Sequence, residues 1–411
     1  MKKLSILLLA GLGGSAHANA FLLNEFDAKA VGRGNASSAT DVDPSSIYYN
    51  VGGLAVSEGM DVQITGSMVV AGSTFTDLSG NKTDTTNNAQ PVPGFFASAR
   101  IHPMVAVGVG VYSPFGLGLD WPTNWEQADV VQAIALRTIF VTPSVGVNLG
   151  SIVPGLSVGA GIDIVPASID LKQAIYFGTD RGTAHLGGKA YGIGARVGAM
   201  YRPAAEPRLS LGVMWRSDVT EDFSGDGNFD APAPYRASLP PDGAVTTSIT
   251  LPQQVTGGAA FKVLPDLELE ANVIWTNWSK FKTLNIEVPA PTTGTMTITT
   301  PEDYQNKTSF RVGGEYGFPN LGLAVRAGYI YDPTPIPSNR LTAQLPDVNR
   351  NDVTVGASKT FGDYAVHLGL LWVLPTSRET SMTDPYAPQY KGTYDVQAFV
   401  ASVTLQGHFN H

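Results

Sequence analysis

The chemistry open to this chain is narrowed first by what its sequence lacks. It has no cysteine and no Gly-x-Ser-x-Gly run that would raise a nucleophile on a strand–helix turn. Six histidines are present. His102, His185 and His367 stand far apart, and no His/Asp/Glu set has the spacing of metal ligands. No residue is therefore assigned to catalysis, to a metal or to a cofactor. What remains is apolar. Phe21, Leu22, Leu23 and Phe26 cluster around Asn24 and Glu25, and Phe115, Leu117 and Trp121 interrupt a polar stretch. Such side chains gain about 25 cal/mol per Å² of apolar surface taken out of water. Phe21, Leu22, Phe26, Phe115, Leu117 and Trp121 are thus candidate contacts for an apolar ligand. Packing within a plug or a loop accounts equally well for Phe21, Phe26, Phe115 and Trp121.

The elements that hold these residues follow from pattern. Residues 1–18 read as a secretory signal: Lys2 and Lys3, an apolar run from Leu4 to Leu12, then Ala16-His17-Ala18 as a cleavage site. The mature chain then starts at Asn19, with cleavage after Ala20 as the alternative. No internal segment approaches the roughly 20 apolar residues of a spanning helix. Period-two alternation dominates instead. Leu156, Val158, Ala160, Ile162 and Ile164 share one face, with Ser157, Gly159, Gly161 and Asp163 opposite. Leu209, Leu211, Val213 and Trp215 oppose Ser210, Gly212 and Arg216 in the same way. Full charges sit beside glycines on the polar face, as in a lumen. The apolar face tends to end in Tyr or Trp, residues of membrane interfaces.

Fourteen strand candidates run from 58–73 to 392–409, an even number as in single-chain bacterial barrels. They include single strands at 104–113, 134–149 and 266–288. The expected fold is all-β: a transmembrane antiparallel barrel of 14 strands over 58–409. Residues 19–57 do not alternate and read as a plug inside it. Connections at 114–133, 223–246, 289–303, 332–350 and 375–391 are expected to be extracellular, with a short helix near 124–135. Lumen charges such as Arg196, Arg216, Arg311, Glu315 and Arg326 are expected to pair with one another or with Glu25, Arg33, Asp41 and Asp43. The net charge of −9 argues against a nucleic-acid partner.

At several points the chain resembles the FadL-type outer-membrane transporters of long-chain fatty acids and hydrocarbons. The resemblance lies in Asn19-Ala20-Phe21-Leu22-Leu23-Asn24-Glu25-Phe26, Val31-Gly32-Arg33-Gly34-Asn35-Ala36 and Tyr112-Ser113-Pro114-Phe115-Gly116-Leu117. It continues through Leu251-Pro252-Gln253, Trp275-Thr276-Asn277-Trp278-Ser279-Lys280-Phe281, Asp332-Pro333-Thr334-Pro335 and Leu345-Pro346-Asp347. It implies a monomer in the Gram-negative outer membrane, bordered by lipopolysaccharide and inserted by the barrel-assembly machinery. It also implies a hydrophobic small-molecule cargo, an N-terminal hatch, and a kinked third strand that opens the wall sideways. Asn24, Glu25, Asn50, Val51 and Gly52 fall on the hatch or gate, and Lys307, four residues before Arg311, on a carboxylate-binding position. Two departures stand out. Asn50-Val51-Gly52 replaces the family's Asn-Pro-Ala beside the wall opening. Ala167 or Ser168 stands where an Arg is expected on the fifth strand, which favours a neutral hydrocarbon over a fatty acid. The competing reading is a general diffusion porin with an open lumen.

Overall fold

Alternating side chains put one face of each strand toward lipid and the other toward the lumen, so a sheet of such strands is stable only when closed. The computed structural model describes residues 20–86, 89–292, 294–380 and 390–409; the signal segment 1–18 lies outside them. Fourteen antiparallel staves form the wall among the described residues. They are β1 (Met60–Asp77), β2 (Ala89–His102), β3 (Val105–Tyr112, then Gly116–Asp120), β4 (Ala133–Thr138, then Phe140–Asn148), β5 (Leu156–Phe177), β6 (Asp180–Tyr201) and β7 (Leu209–Arg216, then Val219–Asp230). The round continues with β8 (Gly243–Leu251, then Gln254–Leu264), β9 (Leu267–Thr276, then Thr283–Pro289), β10 (Thr295–Pro301, then Lys307–Phe318), β11 (Leu323–Asp332), β12 (Arg350–Phe361), β13 (Tyr364–Glu379) and β14 (Gly392–Phe409). β1 pairs with β14 from Met60↔Phe409 to Asp77↔Gly392, which closes the barrel. No described helix is long and apolar enough to cross a membrane; crossing here is by strands.

Several staves are broken where single strands were expected. The 104–113 strand resumes as Gly116–Asp120, so the expected loop 114–133 is partly wall. Residues 121–132 are turns, not a helix. The 266–288 strand breaks at the short helical turn Trp278–Lys280. Residues 223–230, 243–246, 295–301 and 375–379 also belong to staves rather than loops. The common reason is a change of environment partway up the wall. In the lower part of β5 the apolar residues Ala160 and Ile162 face out, while Ser157 and Asp163 face in and are buried. Higher up, Val165, Ala167 and Leu171 are buried inward, and Pro166 and Lys172 are exposed. β7 reaches the same result by flipping its faces, from outward Val213 and Trp215 to inward Val219 and Phe223 beside outward Thr220 and Asp222. The barrel thus has a polar lumen within the lipid belt and an apolar lumen above it.

Residues 20–57 fill the lower lumen. They carry two short helices, α1 (Ala28–Gly32) and α2 (Ser46–Tyr49), and a 3-10 turn, Val51–Ala55. The Asp27 side chain caps α1 through the Lys29 N–H. Polar wall groups receive the segment. Glu270 accepts from Ala39 N (2.8 Å) and Thr40 Oγ1 (2.5 Å), and Asn272 accepts from Ser37 N and Ser38 N. Arg33 lies 3.4 Å from Glu270 and 3.5 Å from Glu268, and Lys29 pairs with Asp43. The backbone runs so close to the wall that a Cβ on Gly212 would collide with the Ser38 carbonyl. Arg196 is the deepest tie: Nη2 lies 2.6 Å from Asp163 Oδ1, and Nη1 donates to the Ile47 carbonyl at 2.8 Å. The expected pairing thus holds for Arg33, Arg196 and Arg326, the last 2.5 Å from Glu315. Arg216 and Arg311 instead bond to Gln254 and to the Asn35 carbonyl.

Both side chains of the Arg196–Asp163 pair are fully buried. Removing one partner of such a pair costs about 3–5 kcal/mol. Asp163→Ala should therefore lower the urea midpoint of the folded barrel markedly, and adding Arg196→Met should recover most of the loss. An unchanged midpoint in the single variant would rule out this tie.

Candidate functional site

Above the lipid belt the inward apolar residues enclose a chamber. Phe21, Leu117, Ile134, Leu136, Ile169, Ile249, Phe281, Leu284, Tyr304, Ile336 and Leu345 line one void of about 60 Å³. Leu171, Leu186, Phe223, Val245 and Ile286 line a second of about 50 Å³, which shares Ile134, Ile169 and Leu284 with the first. Ligand pockets typically hold about 300–1,000 Å³. The chamber as it stands is therefore nearly collapsed, and its walls must shift to admit a ligand of that class.

Its floor is the N-terminal segment. Phe21 lies edge-on to Trp278 (centroids 4.9 Å apart, planes at 84°) and within 6.1 Å of Phe115 and Phe281. The next residues form a short strand of their own. Leu23 N donates to the Pro114 carbonyl (2.8 Å), Gly116 N donates to the Phe21 carbonyl (2.9 Å), and Leu22 faces Phe115 between them. Pro114 and Phe115 are where β3 breaks, so the N-terminal strand occupies the edge left by the break. One residue earlier, Ala20 N donates to Asp347 Oδ2 at 3.0 Å. Asp347 also accepts from Thr334 Oγ1 at 2.6 Å. Burial pushes the Asp347 carboxyl above the ordinary range, against the opposing effects of Thr334 and Arg350.

The same break leaves the wall unlaced. β2 pairs with β3 only from Phe95↔Val111 downward. Its upper residues Ala89–Gly94 pair with β1 alone. β3 resumes at Gly116 with its pairing toward β4. Near the top, Thr86 N donates to the Asp120 carbonyl and bounds the opening. Outward Met68 and Val70 of β1 lie at the height of Pro91 and Ala89, so the opening faces the upper lipid belt. Behind it stand Phe96, Tyr112 and Phe140, stacked within 6.0 Å of one another in sequence.

A family model for outer membrane protein transport protein (OMPP1/FadL/TodX) matches residues 9–409. The chain belongs to that family. A long-chain fatty acid transport protein of Salmonella typhi is 23% identical over 392 residues, covering 86% of this chain and 87% of the relative. The fold is that of a FadL homologue from Pseudomonas aeruginosa (TM-score 0.82, 18% identity, 95% of this chain and 100% of the other). It is also that of the toluene transporter TodX from P. putida (TM-score 0.78, 19% identity, 95% and 100%). As a member of the OMPP1/FadL/TodX family, the protein is a β-barrel of the Gram-negative outer membrane.

Within this FadL-type barrel the sequence-derived residues separate into groups. Phe21 and Leu117 line the chamber, and Leu22 and Phe115 form its edge strand. Phe26 packs instead into the core of the filled lumen against Tyr48 (4.8 Å) and Tyr112 (5.5 Å). Trp121 stacks on Trp125 at 4.2 Å and donates to the Ala343 carbonyl, a loop-packing role. Lys307 Nζ turns to Gln305 at 3.4 Å and is not on the chamber wall. Asn24 accepts from the Tyr48 hydroxyl at 2.9 Å, and Glu25 accepts from Asn24 N at 2.9 Å.

Asn50, Val51 and Gly52 are not at the wall opening, where the resemblance sets this motif. The Asn50 amide donates to the Ala199 carbonyl (3.0 Å), and the Gly52 carbonyl accepts from Ser157 Oγ (2.8 Å). Both contacts hold the turn on the lower part of β5 and β6. Sequence reading missed Asp347 and the wall residues Ile134, Ile169, Ile249 and Ile336. For Ile169 the signal was the switch of the apolar set in β5 from even positions, Leu156 to Ile164, to odd ones, Val165 to Leu171.

A buried hydrogen bond to a charged acceptor contributes about 1.5–3 kcal/mol. Asp347→Ala should then speed amide exchange at residues 20–24 by about tenfold or more, with the exchange of β5 and β6 amides unaltered. Equal rates in both proteins would show that Asp347 does not anchor the segment.

Proposed function

We propose that this protein carries hydrophobic small molecules, long-chain fatty acids or hydrocarbons, inward across the outer membrane. Both cargo classes are those named for its relatives, the Salmonella fatty acid transport protein and the P. putida toluene transporter. One observation carries the reading: an apolar chamber whose floor is hydrogen-bonded onto the broken edge of the wall, beside an unlaced opening toward lipid. Cargo enters from the extracellular end and exchanges water for the chamber walls, worth several kcal/mol for a modest chain at about 25 cal/mol per Å². Expansion of the chamber displaces Phe21 and strips the N-terminal strand from Pro114–Gly116. The chamber then joins the opening between β2 and β3, and cargo passes sideways into the bilayer without re-entering water. Residues 20–57 act as the hatch, of which residues 20–26 move. Lipopolysaccharide borders the opening from outside. No catalytic step is part of this reading.

The absence of native cysteine makes a lock simple to build. Leu22 and Phe115 are a non-hydrogen-bonded antiparallel pair, whose Cα atoms lie about 4.5 Å apart, within disulfide reach. Leu22→Cys with Phe115→Cys should stop uptake of labelled apolar cargo when oxidised and restore it on reduction. Uptake that is equal in both redox states would sink the moving floor. Swelling of liposomes in small sugars should stay negligible throughout, since the lower lumen is filled; brisk swelling would favour a diffusion porin.

A further inference from the structure

The chamber is apolar, yet one carboxyl group lines it and a second is buried beside it, next to the wall residues Ile249 and Phe223. Glu302 stands on the connection between the two halves of β10, above the lipid belt, and lines the chamber beside Phe281, Tyr304 and Ile336. Glu221 points inward from the upper half of β7 between Val219 and Phe223. Its register partner is the wall residue Ile249, and neither of its buried oxygens has a hydrogen-bond partner. Among the described residues neither forms an ion pair, although the Arg340 charge reaches Glu302. Arg340, the guanidinium on the chamber wall, is held by Asp303 through Nε (2.9 Å) and Nη2 (2.7 Å). Arg216 lies beneath Phe115, on the polar side of the N-terminal strand, where it lines a separate cavity with Asn24 and Tyr48. An incoming fatty-acid anion would give up its water and meet acids. A buried carboxylate without a cation is among the costliest groups a protein can hold.

We propose that Glu302 and Glu221 set the charge selectivity of this chamber, which takes uncharged hydrocarbons and turns fatty-acid anions away. The inference rests on the chamber being the cargo site. Burial pushes Glu302 up to about 8, with Arg340 opposing and Asp303 reinforcing, and pushes Glu221 up to about 7, with Asp222 reinforcing. Below these values each carboxyl is neutral and is tolerated by apolar walls. As pH rises through 7 and 8 each becomes a fixed negative charge. The bias against anions therefore grows with pH over that window.

The test is equilibrium binding of labelled dodecane and dodecanoate to the full barrel in nanodiscs, at about pH 6 and about pH 9. Wild type should favour dodecane by about tenfold or more at the higher pH, with a smaller ratio at the lower one. Glu221→Gln with Glu302→Gln should flatten that pH dependence. Tighter or equal binding of dodecanoate by wild type at about pH 9 overturns the proposal, and that measurement needs no variant to fold. A ratio with the same pH dependence in the double variant overturns the role of these two residues. If neither ligand binds, the chamber is not the cargo site, and the transport reading fails together with this one.

Discussion

Every backbone N–H and C=O at lipid depth must find its partner within the protein, because hydrocarbon offers none. The barrel meets this requirement by closure, β1 against β14, along most of the wall; β7 leaves β6 between Arg216 and Ser224, and β3 leaves β2 at their upper ends. There β3 breaks at Ser113–Phe115, and the orphaned edge is capped from inside by Phe21–Leu23. The same few residues thereby complete the wall, close the chamber floor and cover the route to the opening. On the proposed reading, the moving part is built at a place where the wall's hydrogen-bonding rule is broken.

The second organising feature is the change of inward residue type along the staves, from polar in the lipid belt to apolar above it. In the lipid belt the outside must be apolar, and the lumen can then be polar and packed with ion pairs that bind residues 27–57. Above the belt the outside faces water and the inside can be apolar. A strand meets this either by changing residue type on an unchanged inward face, as β1 and β5 do, or by switching its side-chain phase. A bulge or kink that inserts a residue does this on β7, where Ser217 N bonds to the Ala195 carbonyl and pairing with β6 resumes only at Ser224. The breaks in β3, β7, β8, β9 and β10 cluster at this transition. The chamber is thus a consequence of the membrane boundary acting on a closed sheet.

Much of this was legible in the sequence. Alternation from Leu156 to Ile164 and the aromatic at Trp215 gave the barrel, since period-two patterns respond directly to two environments. The plug followed from residues 19–57 failing to alternate while carrying Phe21 and Phe26. The chamber was not legible by the same reasoning, because a strand with two phases reads as a shorter strand followed by a loop. That is why residues 223–230 and 116–120 were expected to be loops. Asp347 was visible only as part of a resembling Leu-Pro-Asp run. Its partner, the Ala20 N–H, lies 327 positions away, and no local pattern encodes such a contact.

On the proposed transport reading, magnitudes decide which part of residues 20–57 moves. Residues 27–57 are held by Arg196–Asp163, by Arg33 with Glu270 and by a dense set of buried backbone contacts to Glu270 and Asn272. Breaking one buried ion pair alone costs about 3–5 kcal/mol. Residues 20–23 are held by two strand hydrogen bonds and one from the Tyr48 hydroxyl to the Leu23 carbonyl, each worth about 0.5–1.5 kcal/mol net, one bond to Asp347, and the burial of Leu22, Leu23 and Phe21, each worth about 1.5–3 kcal/mol. A cargo that fills the chamber with apolar surface replaces the burial of Phe21 and strains the strand hydrogen bonds beside it. It has no comparable purchase on the ion pairs below. Motion confined to the first few residues is therefore the least costly way to join chamber and opening, and it leaves the lower lumen filled while cargo passes.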